Sequence, residues 1–205
     1  MYCDLATDAN GNVWVVAEDD GISACFYNGI SWSDLMLVPT HGLSCSYPIA
    51  IGDSLGNLWV CWMGSGPGEG YHIWGNTYIQ GQWGAPVLIS YPGSHNELTY
   101  SMTTDKQGKV WVGWYWFSGF DQAICASFND GSAWSDTMVI AEYSYSSRGP
   151  ALTVDTSGKV WAGWLGCDSG SNWRVYASYY DESVWSDPML VSDESGVGGW
   201  PIAIT

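Results

Sequence analysis

TDANGNVWVVA at residues 7–17, GDSLGNLWVCW at 52–62, TDKQGKVWVGW at 104–114 and VDTSGKVWAGW at 154–164 are one phrase written four times. Each sets an aspartate, a glycine three residues on and a tryptophan three further: Asp8, Gly11 and Trp14 in the first, Asp105, Gly108 and Trp111 in the third. A carboxylate can accept a backbone N–H across a tight turn and glycine can take positive φ there, so the phrase predicts a turn feeding a strand that tryptophan opens. On that reading, alanine in place of Asp53, Asp105 or Asp155 removes a turn cap worth about 0.5–2 kcal/mol. A second landmark sets the period. Trp32, Trp83, Trp134 and Trp185 stand 51 residues apart, three of them in SWSDLMLV, AWSDTMVI and VWSDPMLV and Trp83 in QWGAPVLI.

Each repeat divides into four short β segments between turn residues, as in PIAIGD, NLWVCW, HIWGNTYI and QWGAPVLIS of the second copy. Four-stranded units at this period predict an all-β chain folded as a β-propeller. The expected blades are residues 1–47, 48–98, 99–149 and 150–200, with one extra inner strand at 201–205. Two β-sandwiches are the alternative, but sandwiches have no need of one phrase repeated four times. Runs such as LWVCW and VWVGW are nearly continuously apolar, which suits strands covered on both faces. Trp14, Trp59, Trp111 and Trp161 are therefore read as packing between blades.

The composition narrows the partners. The 205 residues are 46% hydrophobic with 15 tryptophans, and 21 acidic residues against five lysines and arginines leave a formal net charge of −16. Such a surface repels phosphate backbones and anionic headgroups, so neither nucleic acid nor membrane is expected as a partner. Cys61 falls in a slot filled by Val16, Gly113 and Gly163, and Cys25 in one filled by Asn76, Ser127 and Ser178, which favours free thiols; Cys3 with Cys45 is the one pairing to check. EDDG at 18–21 and GCDSGSN at 166–172 cluster oxygens without a calcium-loop spacing, and no zinc or cofactor motif stands out.

The phrase PIAIGDSLGNLWVCW resembles the repeats of sialidase-like, NHL and sensor-type propellers, and that resemblance runs the length of the chain. It departs from the sialidase Asp-box, S-x-D-x-G-x-T-W, by one residue between aspartate and glycine. The resemblance implies that the first strand of each blade lies innermost and the W-S-D strand outermost. It also implies three arginines on the substrate carboxylate of a sialidase, and with only Arg148 and Arg174 in the chain that activity is disfavoured.

Repetition serves folding, so departures from it are where a function can be written. The irregular stretches are 17–23, 63–72, 115–123 and 165–173 within blades, and 38–47, 90–99 and 141–149 between them. They suggest a ligand-binding set of Tyr71, His95, Trp116, Phe120, Tyr145, Arg148 and Trp173, joined by Trp200. Aromatic faces beside polar groups suit a sugar ring, which stacks its C–H face and pairs its hydroxyls. The expected function is a non-catalytic binding module for carbohydrate or protein. The alternatives are a fragment of a larger extracellular propeller glycosidase or lyase, and a self-assembling unit without a small ligand. Glu97, Glu142 and Glu194 are the carboxylates a glycosidase could pair, and His95 with Tyr91 the base and acid of a lyase. An extracellular or cell-surface location is expected, with any leader sequence absent. Assembly is expected as a homo-oligomer, most simply two chains sharing one eight-bladed ring, because GWPIAIT at the end repeats the inner-strand phrase SYPIAIG.

Overall fold

The computed structural model describes residues 1–66, 70–90, 96–118, 121–143, 147–167 and 172–192, with the backbone alone at 96–98. Every regular element among them is a β-strand, and no helix is long and apolar enough to cross a membrane. The chain divides into two compact units, Met1–Ser94 and His95–Thr205.

The first unit holds two antiparallel meanders. One runs β1 (Cys3–Thr7), β2 (Val13–Asp19), β3 (Gly21–Tyr27) and β4 (Met36–Leu37), hydrogen-bonded in that order. The next runs β5 (Ser44–Gly52), β6 (Leu58–Ser65) and β7 (His72–Ile79), its outer edge split into β8 (Gln82–Trp83) and β9 (Val87–Leu88), both paired with β7. The second unit repeats the plan with β10 (Asn96–Thr104), β11 (Val110–Ser118), β12 (Asp121–Asn129) and β13 (Met138–Tyr143). It repeats it again with β14 (Ser147–Val154), β15 (Val160–Cys167), β16 (Trp173–Tyr180) and β17 (Met189–Leu190). These four sheets are the blades of a β-propeller. First strands lie against first strands, β1 on β5 and β10 on β14, as expected of inner strands. The fifth inner strand expected at 201–205 lies outside the described residues.

The recurrent turn is held by more than its backbone. Oδ1 of Asp8 accepts the N–H groups of Asn10 at 2.9 Å and Asn12 at 3.0 Å, as the turn chemistry predicts. Its Oδ2 accepts the indole N–H of Trp14 at 2.9 Å, and Asp53, Asp105 and Asp155 do the same for Trp59, Trp111 and Trp161 at 2.9 Å. The four turn glycines sit at φ of 80, 83, 83 and 99°, so the conformation suits a residue without Cβ. Each aspartate thus ties the turn and aims the tryptophan ring.

Those rings fill the junction between blades inside each unit. Trp14 meets Phe26 of its own sheet at 4.7 Å and Tyr78 of the next sheet at 5.1 Å between centroids. Trp111 meets Phe128 at 4.7 Å within its sheet and Tyr180 at 4.9 Å across the junction. Around them Val16, Leu58, Val60 and Trp62 form one core, and Ile124, Ala126, Ala162 and Trp164 the other, all fully buried. Sizes are matched across the junction. A Cβ on Gly113 of β11 would stand 3.1 Å from the Leu152 side chain of β14, so the missing side chain makes room for that leucine.

Gly52 is the tightest case. A Cβ there would meet the Thr7 carbonyl oxygen and the Asp8 Cα, which are backbone and cannot rotate aside. Gly52→Ala is expected to push β5 off the end of β1 and lower unfolding free energy by about 1–3 kcal/mol, the usual range for overpacking. Urea melts of the variant check this; an unchanged midpoint would show that the two strands can separate freely.

The W-S-D tripeptide fastens the outer edge. Oγ of Ser33, Ser135 and Ser186 accepts the N–H of Phe26, Phe128 and Tyr179 at 3.0, 3.1 and 3.2 Å. Each hydroxyl donates in turn to the carbonyl of the aspartate that follows. Blade two lacks the serine, and Asn76 takes over by donating from Nδ2 to the carbonyls of Gly84 at 3.1 Å and Pro39 at 3.2 Å. All six cysteines are free, Cys3 and Cys45 included, and burial pushes the Cys61 thiol well above the ordinary range.

Several stretches read as loops are strands. The β11–β12 ladder continues through Phe117↔Gln122 and Ser118↔Asp121, and β2–β3 through Asp19↔Gly21. Trp116, Phe117, Tyr143 and Trp173 are strand residues for this reason. Long aromatic side chains tolerate either state, so composition alone overstated the loops.

Candidate functional site

Four of the eight sequence-predicted ligand residues, Tyr71, Trp116, Arg148 and Trp173, are described; His95, Phe120, Tyr145 and Trp200 lie outside the described residues, as do Tyr91 and Glu194.

Arg148 and Trp173 meet. Arg148 is the second residue of β14 and Trp173 the first of β16, and both flank the end of β15. The pairing of β14 with β15 slips between Arg148 and Ala151, where Gly149 takes φ of 32°, so a bulge re-aims the strand at the arginine. The guanidinium carbon then stands 4.9 Å from the Trp173 ring centroid, a cation–π contact with both residues half-buried.

Beside that pair lies a polar bridge that sequence reading missed. The Tyr115 hydroxyl donates to Oε1 of Gln122 at 2.7 Å, and the same oxygen accepts the Ser147 N–H at 3.0 Å. Gln122 thereby joins the third blade to the start of β14. Burial raises the Tyr115 phenol pKa while the positive charge of Arg148 nearby opposes it, so the phenol stays protonated next to the guanidinium. Phe117 stacks on Tyr115 at 6.0 Å and 14°. Trp116, between those two in the strand, belongs to the opposite face of β11. The clue available in sequence was that Tyr115 and Gln122 fall in a stretch where the repeats diverge.

Tyr143 has another role. Its hydroxyl accepts the Trp164 indole N–H at 2.6 Å, and a Cβ on Gly166 would stand 2.7 Å from the Tyr143 ring. Burial pushes its phenol up to about 12, so it straps β13 onto the fourth blade as a neutral group. Two lysines are used in packing as well, Lys109 over Phe128 at 4.5 Å and Lys159 over Tyr179 at 4.1 Å.

Of the carboxylates considered for a glycosidase pair, Glu142 is exposed on β13, while the side chain of Glu97 is not among those described. No group of three or more histidine, cysteine, aspartate or glutamate side chains able to hold a metal occurs among the described residues. In EDDG, Glu18 accepts the Tyr47 N–H at 3.3 Å. Tyr71 belongs to the first unit, where it stands exposed just before β7.

The turn carboxylates set an acid limit. Hydrogen bonds from the Ser157 hydroxyl and the Trp161 indole hold Asp155 far below the ordinary carboxylate range, and the Ser132 hydroxyl holds Asp130 at about 2. Asp181 is lowered by the Val184 N–H, the Ser183 hydroxyl and the Ser183 N–H. A depressed native pKa means stability that is complete above the unfolded value, about 3.9, and is lost as pH falls through the native one. The melting midpoint should therefore hold from neutral pH to about pH 5 and fall below pH 4, with Asp155→Asn losing part of that slope. A midpoint that stays flat down to pH 2 would refute this.

No protein-family model matches the chain, and no curated protein matches it. Solved structures do. A Hadza microbial sialidase aligns over 90% of this chain and 45% of its own, at 12% identity and a TM-score of 0.64. A Penicillium chrysogenum α-L-arabinanase complexed with arabinobiose aligns over 96% of this chain and 68% of its own, at 14% identity and 0.64. An ulvan lyase, described as a new family of polysaccharide lyase, aligns over 89% and 56%, at 8% identity and 0.63. At these identities the likeness shows the fold, a β-propeller of the kind found in glycosidases and lyases. The chain spans about half the length of the sialidase and the lyase it resembles.

Proposed function

We propose that the chain is a carbohydrate-binding propeller module whose contact surface is built around Arg148 and Trp173. The observation that supports this is the cation–π pair at 4.9 Å beside the Tyr115–Gln122 bridge. A guanidinium held against an indole sets a planar fork of donors beside the ring, which suits the hydroxyls of a sugar lying there. Sugar-acting propellers among the structural neighbours agree with the ligand class. A glycan array followed by calorimetry tests it. Trp173→Ala is expected to weaken the captured glycan at least tenfold, and Arg148→Lys, which keeps charge but loses the planar fork, by a smaller factor. Binding that survives both substitutions would remove the site, and an array without hits would remove the carbohydrate reading.

A second reading is favoured by one face of the first unit. Leu5 is 65% exposed, whereas Leu152, three residues before its turn aspartate in the same way, is 7% exposed beneath the third blade. Val13 is likewise open where Leu58 and Val160 are buried. Such a face fits another blade of the same repeat, supplied by a second copy of the chain or by further blades of a longer glycosidase or lyase. Light scattering on the purified chain tests assembly: a particle of 22.4 kDa at all concentrations would exclude the second copy.

A further inference from the structure

The first unit contains carboxylates but no lysine or arginine; Lys106, Lys109, Arg148, Lys159 and Arg174 all belong to the second. Within that anionic unit, three tyrosines gather at one end of the sheets. Tyr2 precedes β1, Tyr47 lies in β5 and Tyr71 precedes β7, and they are 50, 43 and 43% exposed. The Tyr2 and Tyr47 rings lie 4.1 Å apart at 40°, and Tyr71 stands at the same end of the sheet, just before β7, whose neighbour β6 pairs with β5. Glu18 joins them by accepting the Tyr47 N–H at 3.3 Å, and its own N–H donates to the Tyr2 carbonyl at 2.9 Å.

The inner-strand bulge of the repeat helps set this arrangement. Tyr47 has φ of 55°, at the bulge where β5 slips against β6 between Ser46 and Ile49. The matching bulge takes positive φ in the third and fourth blades too, at Thr99 (47°) and Gly149 (32°), so the conformation belongs to the inner-strand bulge of the repeat, and in the second blade it carries a tyrosine. A bulky residue in that conformation is uncommon, and here the bulge turns its ring outward. The Tyr47 ring rests on Tyr2 on one side and is otherwise open, the residue being 43% exposed.

We propose that Tyr2, Tyr47 and Tyr71 with Glu18 form a binding site for an organic ammonium group, of the methylated or quaternary alkylammonium class. Electron-rich phenol faces attract such a cation, the Glu18 carboxylate supplies the counter-charge, and the potential of a unit without basic side chains concentrates cations around it. The hydrogen bond with Tyr2 holds the Tyr47 hydroxyl above the ordinary phenol range, so the ring remains neutral at physiological pH. One carboxylate and phenol oxygens are too few for calcium, which takes six to eight oxygens. The site lies in the other unit from Arg148 and Trp173 and is independent of the carbohydrate reading.

Tyrosine-ring NMR and calorimetry on the full chain test the proposal, with choline as the cation and 3,3-dimethylbutan-1-ol as its neutral carbon isostere. Choline is expected to shift the Tyr2, Tyr47 and Tyr71 resonances saturably, with the isostere at least tenfold weaker. Tyr47→Gly relieves the positive φ, so its melting temperature should hold or rise while choline affinity falls about tenfold. Glu18→Gln should weaken choline without affecting the isostere, and Trp173→Ala should leave choline binding unchanged. Equal affinity for the isostere would make the cluster an apolar patch, and a methyl glycoside shifting the same resonances as tightly would make it a sugar subsite; either overturns the proposal. So would absence of saturable choline binding, or a Tyr47→Gly chain that melts lower.

Discussion

Replacing Trp111 with alanine is expected to lower unfolding free energy by about 3–5 kcal/mol, the range for a fully buried tryptophan. Trp111 is 1% exposed and packs on Phe128, Tyr180 and Trp185, so the substitution opens a void between two blades as well as within one. A protein of this size has about 5–15 kcal/mol in all. The variant should therefore unfold in little denaturant or accumulate insoluble. Trp161 occupies the same slot in the fourth blade but is only half-buried, so Trp161→Ala should be clearly milder. Chemical denaturation followed by tryptophan emission compares the two. Equal losses at both positions would mean that the tryptophan acts through its turn alone and that packing between blades adds nothing.

Asp105→Ala should come next, at about 2–3 kcal/mol, above the upper end for a simple turn cap. The side chain is 8% exposed and accepts three N–H groups, from Gln107, Lys109 and the Trp111 indole, each at 2.9 Å. Alanine leaves all three without their acceptor, and a buried donor left unmade costs about 1–3 kcal/mol. Asp105→Asn should recover part of the loss, because Oδ1 can still serve the backbone. Trp111→Phe in the Asp105→Ala background separates the two functions of the carboxylate: removing the orphaned indole N–H should return some stability. A double variant no better than the sum of the two single losses would contradict the bond to the indole as an energetic link.

The part of this chain legible before any coordinates was the part encoded over six residues. Asp8, Gly11 and Trp14 act on one another within a single turn, and the chemistry of that turn recurs four times, so repetition exposed the blades, while their strand order came from the resemblance to known propellers. The indole bond was not foreseen, although the residues were in view, because propensity says where a turn falls and nothing about which ring its carboxylate meets. Strand ends were misjudged for a related reason. Trp116 and Trp173 lie where the repeats diverge, and divergence looks like a loop until the ladder pairing Phe117 with Gln122 and Cys167 with Trp173 is seen.

The sequence by itself determined an all-β chain of four like blades and tryptophans used for packing, since each depends on local spacing and burial period. Only the tertiary structure decided which irregular residues meet. Arg148 reaches Trp173 because both stand beside the end of β15 and a bulge turns the arginine toward the indole. Tyr2 reaches Tyr47 because first strands lie side by side and Tyr47 takes φ of 55°. Register and bulges are set by pairing between distant segments, where a one-residue shift sends a side chain to the other face. That information is spread over the whole sheet, so no short stretch of sequence contains it.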